Sequence, residues 1–268
     1  MQYHEFDLRN EEINGFMPKL RAYIADRKCG NVGKKTRPAV LVCPGGGYEG
    51  CSAIEGEPVA LRFVAEGYNA FVLNYAIAPK NHYPEPQKNA SDAISFIRKN
   101  ADKFDIDPER IVVVGFSAGA HLAASVATMW DEEPIKTPDG SNRPNAAILC
   151  YPVISYKRSS HKASFENLCG DNIELCEKLS LEERVSDKTP PCFIWHTFSD
   201  GVVPVENSLL FGLALKKAKI PFEMHIFPDG PHGLSLATEE TACNEVHINK
   251  RAQEWVGLSV KWLKDLFD

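Results

Sequence analysis

The chain has 268 residues, of which 44% are hydrophobic and 25% are charged, and its formal net charge is −6 at pH 7. These proportions are typical of soluble globular proteins, so they exclude a disordered or fibrous chain and allow a sizeable core. The acidic balance provides no basic field for phosphates, which argues against nucleic acid as a partner. We expect one domain over residues 1–268 that binds a neutral or sugar-like small molecule.

The N-terminus and the cysteines bear on the compartment. The first 16 residues lack the basic segment and apolar run of a secretory signal, and no later segment is apolar for long enough to cross a bilayer. We therefore expect a cytoplasmic protein. The eight cysteines lack the paired spacing of a metal site, so free thiols and no metal are expected. They are Cys29, Cys43, Cys51, Cys150, Cys169, Cys176, Cys192 and Cys243.

Short apolar runs bounded by turn residues predict six buried strands. They are residues 39–43, 69–75, 111–115, 146–151, 192–197 and 222–227. Helical patterns separate most of them, and a last one closes the chain. These are residues 57–66, 87–103, 118–130, 205–218 and 245–267. Because strands and helices alternate, the sequence predicts an α/β fold with a mostly parallel central sheet and helices on both faces.

Three further segments lie outside this alternation. Residues 5–8 and 20–25 flank a turn-rich stretch and predict a short antiparallel start to the sheet. Residues 131–144 are polar and rich in turn formers, so they are expected to form an exposed loop. No repeat or low-complexity linker divides the chain, and no second domain is needed.

Residues 155–183 mix polar residues with Phe165, Leu168 and Leu175. This composition has two interpretations. The segment is either a small cap over a pocket or an ordinary excursion that covers the edge of the sheet.

A candidate nucleophile follows the strand at residues 111–115. There the chain reads Gly115-Phe116-Ser117-Ala118-Gly119 and then continues as a helix. This order predicts a sharp strand-to-helix turn that displays the Ser117 hydroxyl at the carboxyl end of the sheet. The strand and helix approach closely at such a turn, and the two glycines leave the space. A Gly-x-Ser-x-Gly string also occurs as a plain turn, but rarely between a β-branched strand and a helix.

A serine hydroxyl needs a base and an acid that orients the base. The expected chain order is serine, acid, histidine. Asp200 follows the strand at residues 192–197 in a loop, and His232 follows the strand at residues 222–227 in a turn rich in proline and glycine. Both loops leave the same end of the sheet as Ser117. We therefore predict Asp200 as the acid and His232 as the base.

Other histidines and acids were weighed against this assignment. His121 lies one helical turn past Ser117, where its ring is expected to pack or to form hydrogen bonds rather than to accept the serine proton. His196 ends a strand and His225 lies within one, which is typical of structural histidines. Asp229 is near His232 in sequence, but a shared turn rarely aims a carboxylate at the Nδ1 of the neighbouring imidazole. Asp200 is therefore preferred to Asp229.

A tetrahedral intermediate needs hydrogen-bond donors for its oxyanion. Three glycines follow the strand at residues 39–43, and we predict that the amides of Gly46 and Gly47 act together with the amide of Ala118. A phosphate-binding loop is the alternative, but the lysine and hydroxyl residue of such a loop are missing. Tyr48 is predicted to wall a small acyl pocket, or to serve only in packing.

With these residues in order, the chain resembles the α/β-hydrolase superfamily, and within it carboxylesterases with a His-Gly-Gly-Gly-type oxyanion loop. It is similar to bacterial acetyl-esterase-like proteins, including acetylxylan esterases and xylanase homologues. The resemblance rests on Pro44-Gly-Gly-Gly-Tyr48, Glu55-Gly-Glu-Pro-Val-Ala60, Gly115-Phe-Ser-Ala-Gly119, Asp200 and His232. Pro44 stands where lipase-like relatives carry histidine, so any part that this side chain plays in shaping the loop is absent.

The resemblance implies a serine esterase that hydrolyses short acyl esters, acetyl above all, from sugars or model aryl esters, without metal or organic cofactor. The expected partner is a small ester such as an acetylated sugar, and the oligomeric state stays open. One alternative is a serine peptidase of the prolyl-oligopeptidase type, which usually needs a propeller or a large cap. The other is a non-catalytic small-molecule binder, for which an intact triad and oxyanion loop serve no purpose.

Overall fold

A computed structural model describes residues 1–26 and 36–267 of the chain. Its strands are β1 (Gln2–Asp7), β2 (Lys19–Ile24), β3 (Arg37–Cys43), β4 (Asn69–Asn74), β5 (Ile106–Phe116), β6 (Ala146–Cys150), β7 (Cys192–Thr197) and β8 (Phe222–Phe227). Its α-helices are α1 (Glu57–Ala65), α2 (Glu85–Lys99), α3 (Ala118–Met129), α4 (Lys162–Cys169), α5 (Ile173–Lys178), α6 (Glu206–Ala218) and α7 (Trp255–Phe267). Short 3-10 turns lie at Ala53–Glu55, Leu181–Glu183, Glu245–His247 and Ala252–Glu254.

The strands form a sheet in the order β1-β2-β4-β3-β5-β6-β7-β8. β1 pairs with β2, and β2 with β4, in antiparallel register, while all the later pairs are parallel. The antiparallel start and the parallel remainder are both as predicted from the sequence. Because β3, β5, β7 and β8 are parallel, the loops that follow them leave the same end of the sheet.

The central strands are buried on both faces, so their successive side chains enter two separate cores. Leu41 and Val113 point into one core, which α2, α3 and α6 cover. Val42 and Val114 point into the other, which α1 and α7 cover. This double burial explains why these strands are continuous apolar runs rather than alternating ones.

The last helix begins later than predicted. α7 starts at Trp255, and the ten residues before it include two 3-10 turns and an extended residue, Ile248. Two asparagine side chains explain the difference. The side chain of Asn244 accepts from the N–H of Val246, and that of Asn249 accepts from the N–H groups of the residues two and three positions on. Such local bonds compete with a continuous helix.

The two predicted loop regions differ in content. Residues 131–144 contain turns without a helix or strand, as predicted, but the loop is only partly exposed, because Ile135, Ser141 and Asn142 are buried. Residues 155–183, between β6 and β7, contain α4, α5 and the turn Leu181–Glu183.

Within the described ranges, no helix has the length and apolar character that crossing a bilayer requires. The cysteines described there are free thiols, and Cys29 lies outside the described residues.

Candidate active site

Ser117 occupies the tight turn between β5 and α3. Its φ is +52° and its ψ is −119°, a strained backbone conformation for a residue with a side chain. The turn is held because the Ser117 N–H donates to the carbonyl of Cys150 at 3.0 Å and its carbonyl accepts from the N–H of Val153 at 3.2 Å. The neighbouring strand β6 and the residues just after it therefore fix the position of the hydroxyl.

The glycines on either side of the turn are required by close backbone contacts. A Cβ on Gly115 would lie 2.3 Å from the carbonyl oxygen of Gly119. A Cβ on Gly119 would lie 2.2 Å from the carbonyl oxygen of Cys43. These distances are far inside van der Waals contact, so the strand and helix approach as closely as the sequence predicted.

The structure brings Ser117, His232 and Asp200 together in one chain of hydrogen bonds. Nε2 of His232 lies 2.8 Å from Oγ of Ser117, and Nδ1 lies 2.7 Å from Oδ2 of Asp200. Because an ionised carboxylate only accepts, Nδ1 carries the proton and Nε2 is left to accept from the serine hydroxyl. The Asp200 side chain is fully buried and that of His232 is 16% exposed, so substrate can reach only the serine end of the chain.

The carboxylate of Asp200 is fixed by further donors. Its Oδ1 accepts from the N–H groups of Val202 and Val203, each at 2.9 Å. Burial raises the pKa of Asp200, but the hydrogen bonds from His196, His232 and the backbone outweigh it and hold the pKa well below its usual range. The group is therefore ionised and rigidly placed. Asp229, the alternative acid, is exposed, and its carbonyl accepts from Asn249.

Sequence reasoning missed the role of His196 in this environment. Its Nε2 lies 3.2 Å from Oδ2 of Asp200 and 2.9 Å from the carbonyl oxygen of Val203. Both atoms are acceptors, so Nε2 carries the proton, while Nδ1 accepts from the Ser208 hydroxyl at 2.8 Å. The spacing of four residues between a strand-terminal histidine and Asp200 was the available signal.

The predicted oxyanion loop follows β3, and all of its carbonyl groups accept hydrogen bonds. In residues 44–47 each backbone carbonyl accepts a hydrogen bond, which fixes the orientation of the peptide planes. The donors, in order along the loop, are the Tyr75 hydroxyl at 2.6 Å, the Ser52 N–H at 2.9 Å, the N–H groups of Glu49 and Gly50 at 3.0 Å, and Nδ2 of Asn167 at 2.9 Å.

The N–H groups of the same loop differ in whether they have a hydrogen-bond acceptor. Gly45 donates to Oε2 of Glu55 at 2.8 Å, whereas the N–H groups of Gly46 and Gly47 have no acceptor within the part of the chain that the structure describes. A Cβ on Gly45 would lie only 3.1 Å from Cβ of Ser117, so the loop touches the nucleophile. The N–H of Ala118, the first residue of α3, has no acceptor within its helix either.

Tyr48 is placed differently from the predicted pocket wall. Its side chain is 1% exposed and packs edge-on against Tyr75 and His121. Three consecutive residues, Gly46, Gly47 and Tyr48, have positive φ. The chain therefore reverses direction here, and the Tyr48 ring points into the core. The buried side chain has a packing role instead of lining an acyl pocket.

His121 holds Tyr48 in place and is separate from the serine. Its Nδ1 accepts from the Tyr48 hydroxyl at 2.8 Å, and its Nε2 donates to the carbonyl of Leu179 at 3.0 Å. Burial lowers the pKa of His121 to about 4, so the ring is neutral at neutral pH. Both of its nitrogens are used in structure, which agrees with the role expected from its position on the helix.

Residues 155–183 contact the oxyanion loop directly. Asn167, in α4, donates from Nδ2 to the carbonyl of Gly47 at 2.9 Å. The backbone carbonyl of Asn167 accepts from Nδ1 of His82 at 2.7 Å, and the next carbonyl, of Leu168, accepts from the N–H of Tyr83 at 2.7 Å. These contacts place the segment beside the oxyanion loop.

In residues 1–26 and 36–267, no group of three or more histidine, cysteine, aspartate or glutamate side chains is arranged to hold a metal ion. The site described above therefore consists of one hydroxyl, one imidazole, one carboxylate and a set of backbone amides. This is the composition of a site for acyl transfer.

Comparison with known proteins agrees with this composition. Residues 28–215 match the family model BD-FAE. The chain is 44% identical over 246 residues to endo-1,4-beta-xylanase B of Butyrivibrio fibrisolvens, which covers 89% of this chain and 38% of that protein. It is 33% identical over 208 residues to acetylxylan esterase of Xylanibacter ruminicola, which covers 75% of this chain and 42% of that protein. The chain thus spans about two fifths of the length of these two relatives.

A solved structure matches over nearly the whole chain. The acetyl ester-xyloside bifunctional hydrolase of Caldicellulosiruptor lactoaceticus superposes with a TM-score of 0.87 at 41% identity, covering 98% of this chain and 96% of that one. The relatives and structural neighbours include carboxylesterases and acetyl ester hydrolases. The chain belongs to the BD-FAE family and has the α/β-hydrolase fold of these esterase relatives.

Proposed function

We propose that the chain is a serine carboxylesterase that hydrolyses short-chain acyl esters, acetyl above all, of sugars or xylo-oligosaccharides. The observation that carries the proposal is the 2.8 Å contact between Nε2 of His232 and Oγ of Ser117, backed by the buried Asp200. A hydroxyl so paired is an activated nucleophile. The names of the matched relatives support the acetyl and sugar parts of the proposal.

The first step is acylation of Ser117. The hydroxyl oxygen attacks the ester carbonyl carbon, and its proton passes to Nε2 of His232. The imidazole is then positively charged, and Asp200 stabilises it through the hydrogen bond from Nδ1 at 2.7 Å. The tetrahedral intermediate collapses when its C–O bond to the alcohol breaks, and His232 returns the proton to the departing alkoxide oxygen.

Negative charge develops on the former carbonyl oxygen during this step. The N–H groups of Gly46, Gly47 and Ala118 are the proposed donors to it, because they have no acceptor among the described residues and the loop touches Ser117. Donors that are already oriented stabilise the oxyanion without reorganisation. The loss of one such donor reduces turnover by on the order of 10²–10³ in other acyl-transfer enzymes.

The second step releases the acid. His232 accepts a proton from water as the water oxygen attacks the acyl-enzyme, and the same amides hold the second oxyanion. Collapse breaks the bond between the acyl carbon and Oγ of Ser117, and the serine regains its proton from His232. Neither step needs a group beyond these residues and water.

The test is a panel of p-nitrophenyl esters of increasing chain length together with acetylated xylosides. We expect the highest kcat/KM on acetyl esters, with steadily lower values as the acyl chain lengthens. Ser117→Ala is the control, and it should remove ester hydrolysis while leaving the fold intact, since Ala requires no new space. A preference for long-chain esters would contradict the acetyl assignment, and peptide-amide hydrolysis without esterase activity would contradict the reaction class.

A further inference from the structure

A buried carboxylate lies behind the oxyanion loop. Glu55 is 4% exposed and ends the 3-10 turn Ala53–Glu55. Its Oε2 accepts from the N–H of Gly45 at 2.8 Å, and its Oε1 accepts from the hydroxyl of Tyr151 at 2.7 Å. Each carboxylate oxygen therefore holds a donor from a different part of the chain.

Tyr151 extends this contact to the histidine loop. Its hydroxyl also accepts from the N–H of Ser235 at 2.9 Å, three residues after His232. Its ring meets the ring of His232 edge-on, with centroids 5.1 Å apart. The φ of Tyr151 is +37°, an unfavourable value for a residue with a side chain. The backbone strain and the ring contact are consistent with Tyr151 supporting the imidazole.

The Ser235 end of this chain of contacts is also fixed. The Ser235 hydroxyl donates to the carbonyl of Ile54 at 2.6 Å, and the Ser235 carbonyl accepts from Nε1 of Trp255 at 2.9 Å. Glu55 and Ile54 are neighbours, so the turn Ala53–Glu55 binds the histidine loop both directly and through Tyr151. One short turn thus contacts the oxyanion loop and the histidine loop at once.

The chemistry of this position favours a carboxylate. Burial raises the pKa of Glu55, and the hydrogen bonds from Tyr151 and Gly45 oppose that rise without cancelling it. An ionised carboxylate accepts at both oxygens and can hold two donors at once, whereas an amide accepts at only one. A glutamine in this place could accept from the Gly45 N–H through its oxygen, but its amide group would have to donate to the Tyr151 oxygen, which would leave the Tyr151 hydroxyl proton without its acceptor.

We propose that Glu55 is a positioning residue that sets the oxyanion loop and the catalytic imidazole relative to each other. By engaging the Gly45 N–H, it turns the first peptide of the loop inward and leaves the next two amides for the oxyanion. By engaging Tyr151, it supports the ring against which His232 rests. The inference rests on the proposed role of Ser117, and it adds a residue that touches neither substrate nor serine.

The experiment compares Glu55→Gln with Glu57→Gln. Glu57 is two residues away and also accepts from a tyrosine hydroxyl, that of Tyr23 at 3.1 Å, but it is exposed and does not contact the oxyanion loop. For p-nitrophenyl acetate, we expect Glu55→Gln to lower kcat by about tenfold to a hundredfold, less than the loss of a whole oxyanion donor, with KM within about twofold. Glu57→Gln should leave both constants near those of the wild type.

A second readout does not depend on ester turnover. A p-nitrophenyl phosphonate labels the serine covalently, and its phosphonyl oxygen takes the place of the oxyanion. Glu55→Gln should slow labelling of Ser117, followed by mass spectrometry, by about the same factor as kcat. If Glu55 were only structural, kcat per titrated site and the labelling rate would equal those of the wild type, even with a lower Tm, and the proposal would be overturned.

Tyr151→Phe keeps the test decisive if Glu55→Gln does not fold. This variant retains the ring against His232 and the contact between Glu55 and Gly45, and it removes one hydroxyl. We expect kcat and the labelling rate to fall by about threefold to tenfold, because Glu55 loses a donor and the Ser235 N–H loses its acceptor. Unchanged values would overturn the proposal. If the wild type is labelled but hydrolyses no ester, the proposed function fails, while the labelling rates of the variants still decide the role of Glu55.

Discussion

Nε2 of the buried His196 lies 3.2 Å from Oδ2 of Asp200, the same oxygen that accepts from His232 at 2.7 Å. Two imidazoles therefore donate to one carboxylate oxygen. A carboxylate held in this way has little freedom to rotate away from His232. We infer that His196 contributes to catalysis by fixing the acid.

Replacement of His196 by Phe keeps a ring of similar size and removes both nitrogens. We expect kcat/KM to fall by about tenfold to a hundredfold and the free energy of unfolding to fall by about 1–3 kcal/mol, because the Ser208 hydroxyl and the Val203 carbonyl lose their partners. Steady-state kinetics and urea unfolding measure both. His225→Phe is the control, since His225 lies on β8 and pairs with Glu223 of the same strand, away from Asp200. Full activity of the His196 variant would contradict the inference.

Replacement of Asp200 by Asn tests the identity of the acid. The Asn amide group can donate to the imidazole, which favours the tautomer with the proton on Nε2, and this tautomer cannot accept from Ser117. We expect kcat to fall on the order of 10⁴-fold with little change in KM. Asp229→Asn, which alters an exposed carboxylate three residues before His232, should leave kcat unchanged. The opposite ranking of the two variants would reassign the acid.

Replacement of Gly115 by Ala should disrupt the nucleophile turn. The new Cβ would lie 2.3 Å from the carbonyl oxygen of Gly119 and 2.6 Å from Cα of Ala120. These are backbone atoms that cannot move independently. We expect a loss of more than about 3 kcal/mol in the free energy of unfolding, or no folded protein. Gly257→Ala lies on the exposed side of α7 with no atom within 4 Å and should instead stabilise by about 0.5–1 kcal/mol. Thermal unfolding followed by circular dichroism compares the two, and equal Tm values would refute the close approach.

Replacement of Asn167 by Ala tests the link between residues 155–183 and the oxyanion loop. Loss of the donor to the Gly47 carbonyl should let that peptide rotate, and we expect kcat to fall by about threefold to tenfold. Asn167→Asp should be worse, because a carboxylate would face the carbonyl oxygen. Asn172→Ala removes the capping side chain of α5 in the same segment and should lower stability without affecting kcat. A normal kcat for both Asn167 variants would show that the contact has no effect on the oxyanion donors.

The buried His121 predicts a dependence of stability on pH. Its pKa falls from 6.5 to about 4 on folding, so between these values the unfolded chain binds the proton and the folded chain does not. The stability contribution is therefore complete above about pH 6.5 and decreases as the pH falls to 4, by about 3 kcal/mol in total. His121→Gln should flatten this part of the curve of unfolding free energy against pH, measured in urea. His4→Gln, at an exposed position of β1, controls for the substitution, and identical slopes in all three proteins would contradict the assignment.

Several features were predictable because they depend on local sequence. The six predicted strands are apolar runs with clear limits, and all six are present in the structure. Ser117 follows one of them through a Gly-x-Ser-x-Gly turn, and parallel strands bring Asp200 and His232 to the same end of the sheet. The grouping of these three side chains could therefore be inferred from their order along the chain, without knowledge of distances.

Other features depend on contacts between distant residues, which no local pattern encodes. Glu55 and Tyr151 are 96 residues apart in sequence and share a hydrogen bond of 2.7 Å. The packing role of Tyr48 has a similar origin. Its side-chain direction is set by three consecutive residues with positive φ and by a hydroxyl contact to His121, 73 residues away.

The contact between Asn167 and Gly47 joins the inserted segment 155–183 to the loop that is proposed to stabilise charge. A shift of α4 would therefore be transmitted to the peptide plane of Gly47, two residues after the glycine that touches Ser117. The position of this segment and the orientation of the proposed oxyanion donors are mechanically coupled through that single amide.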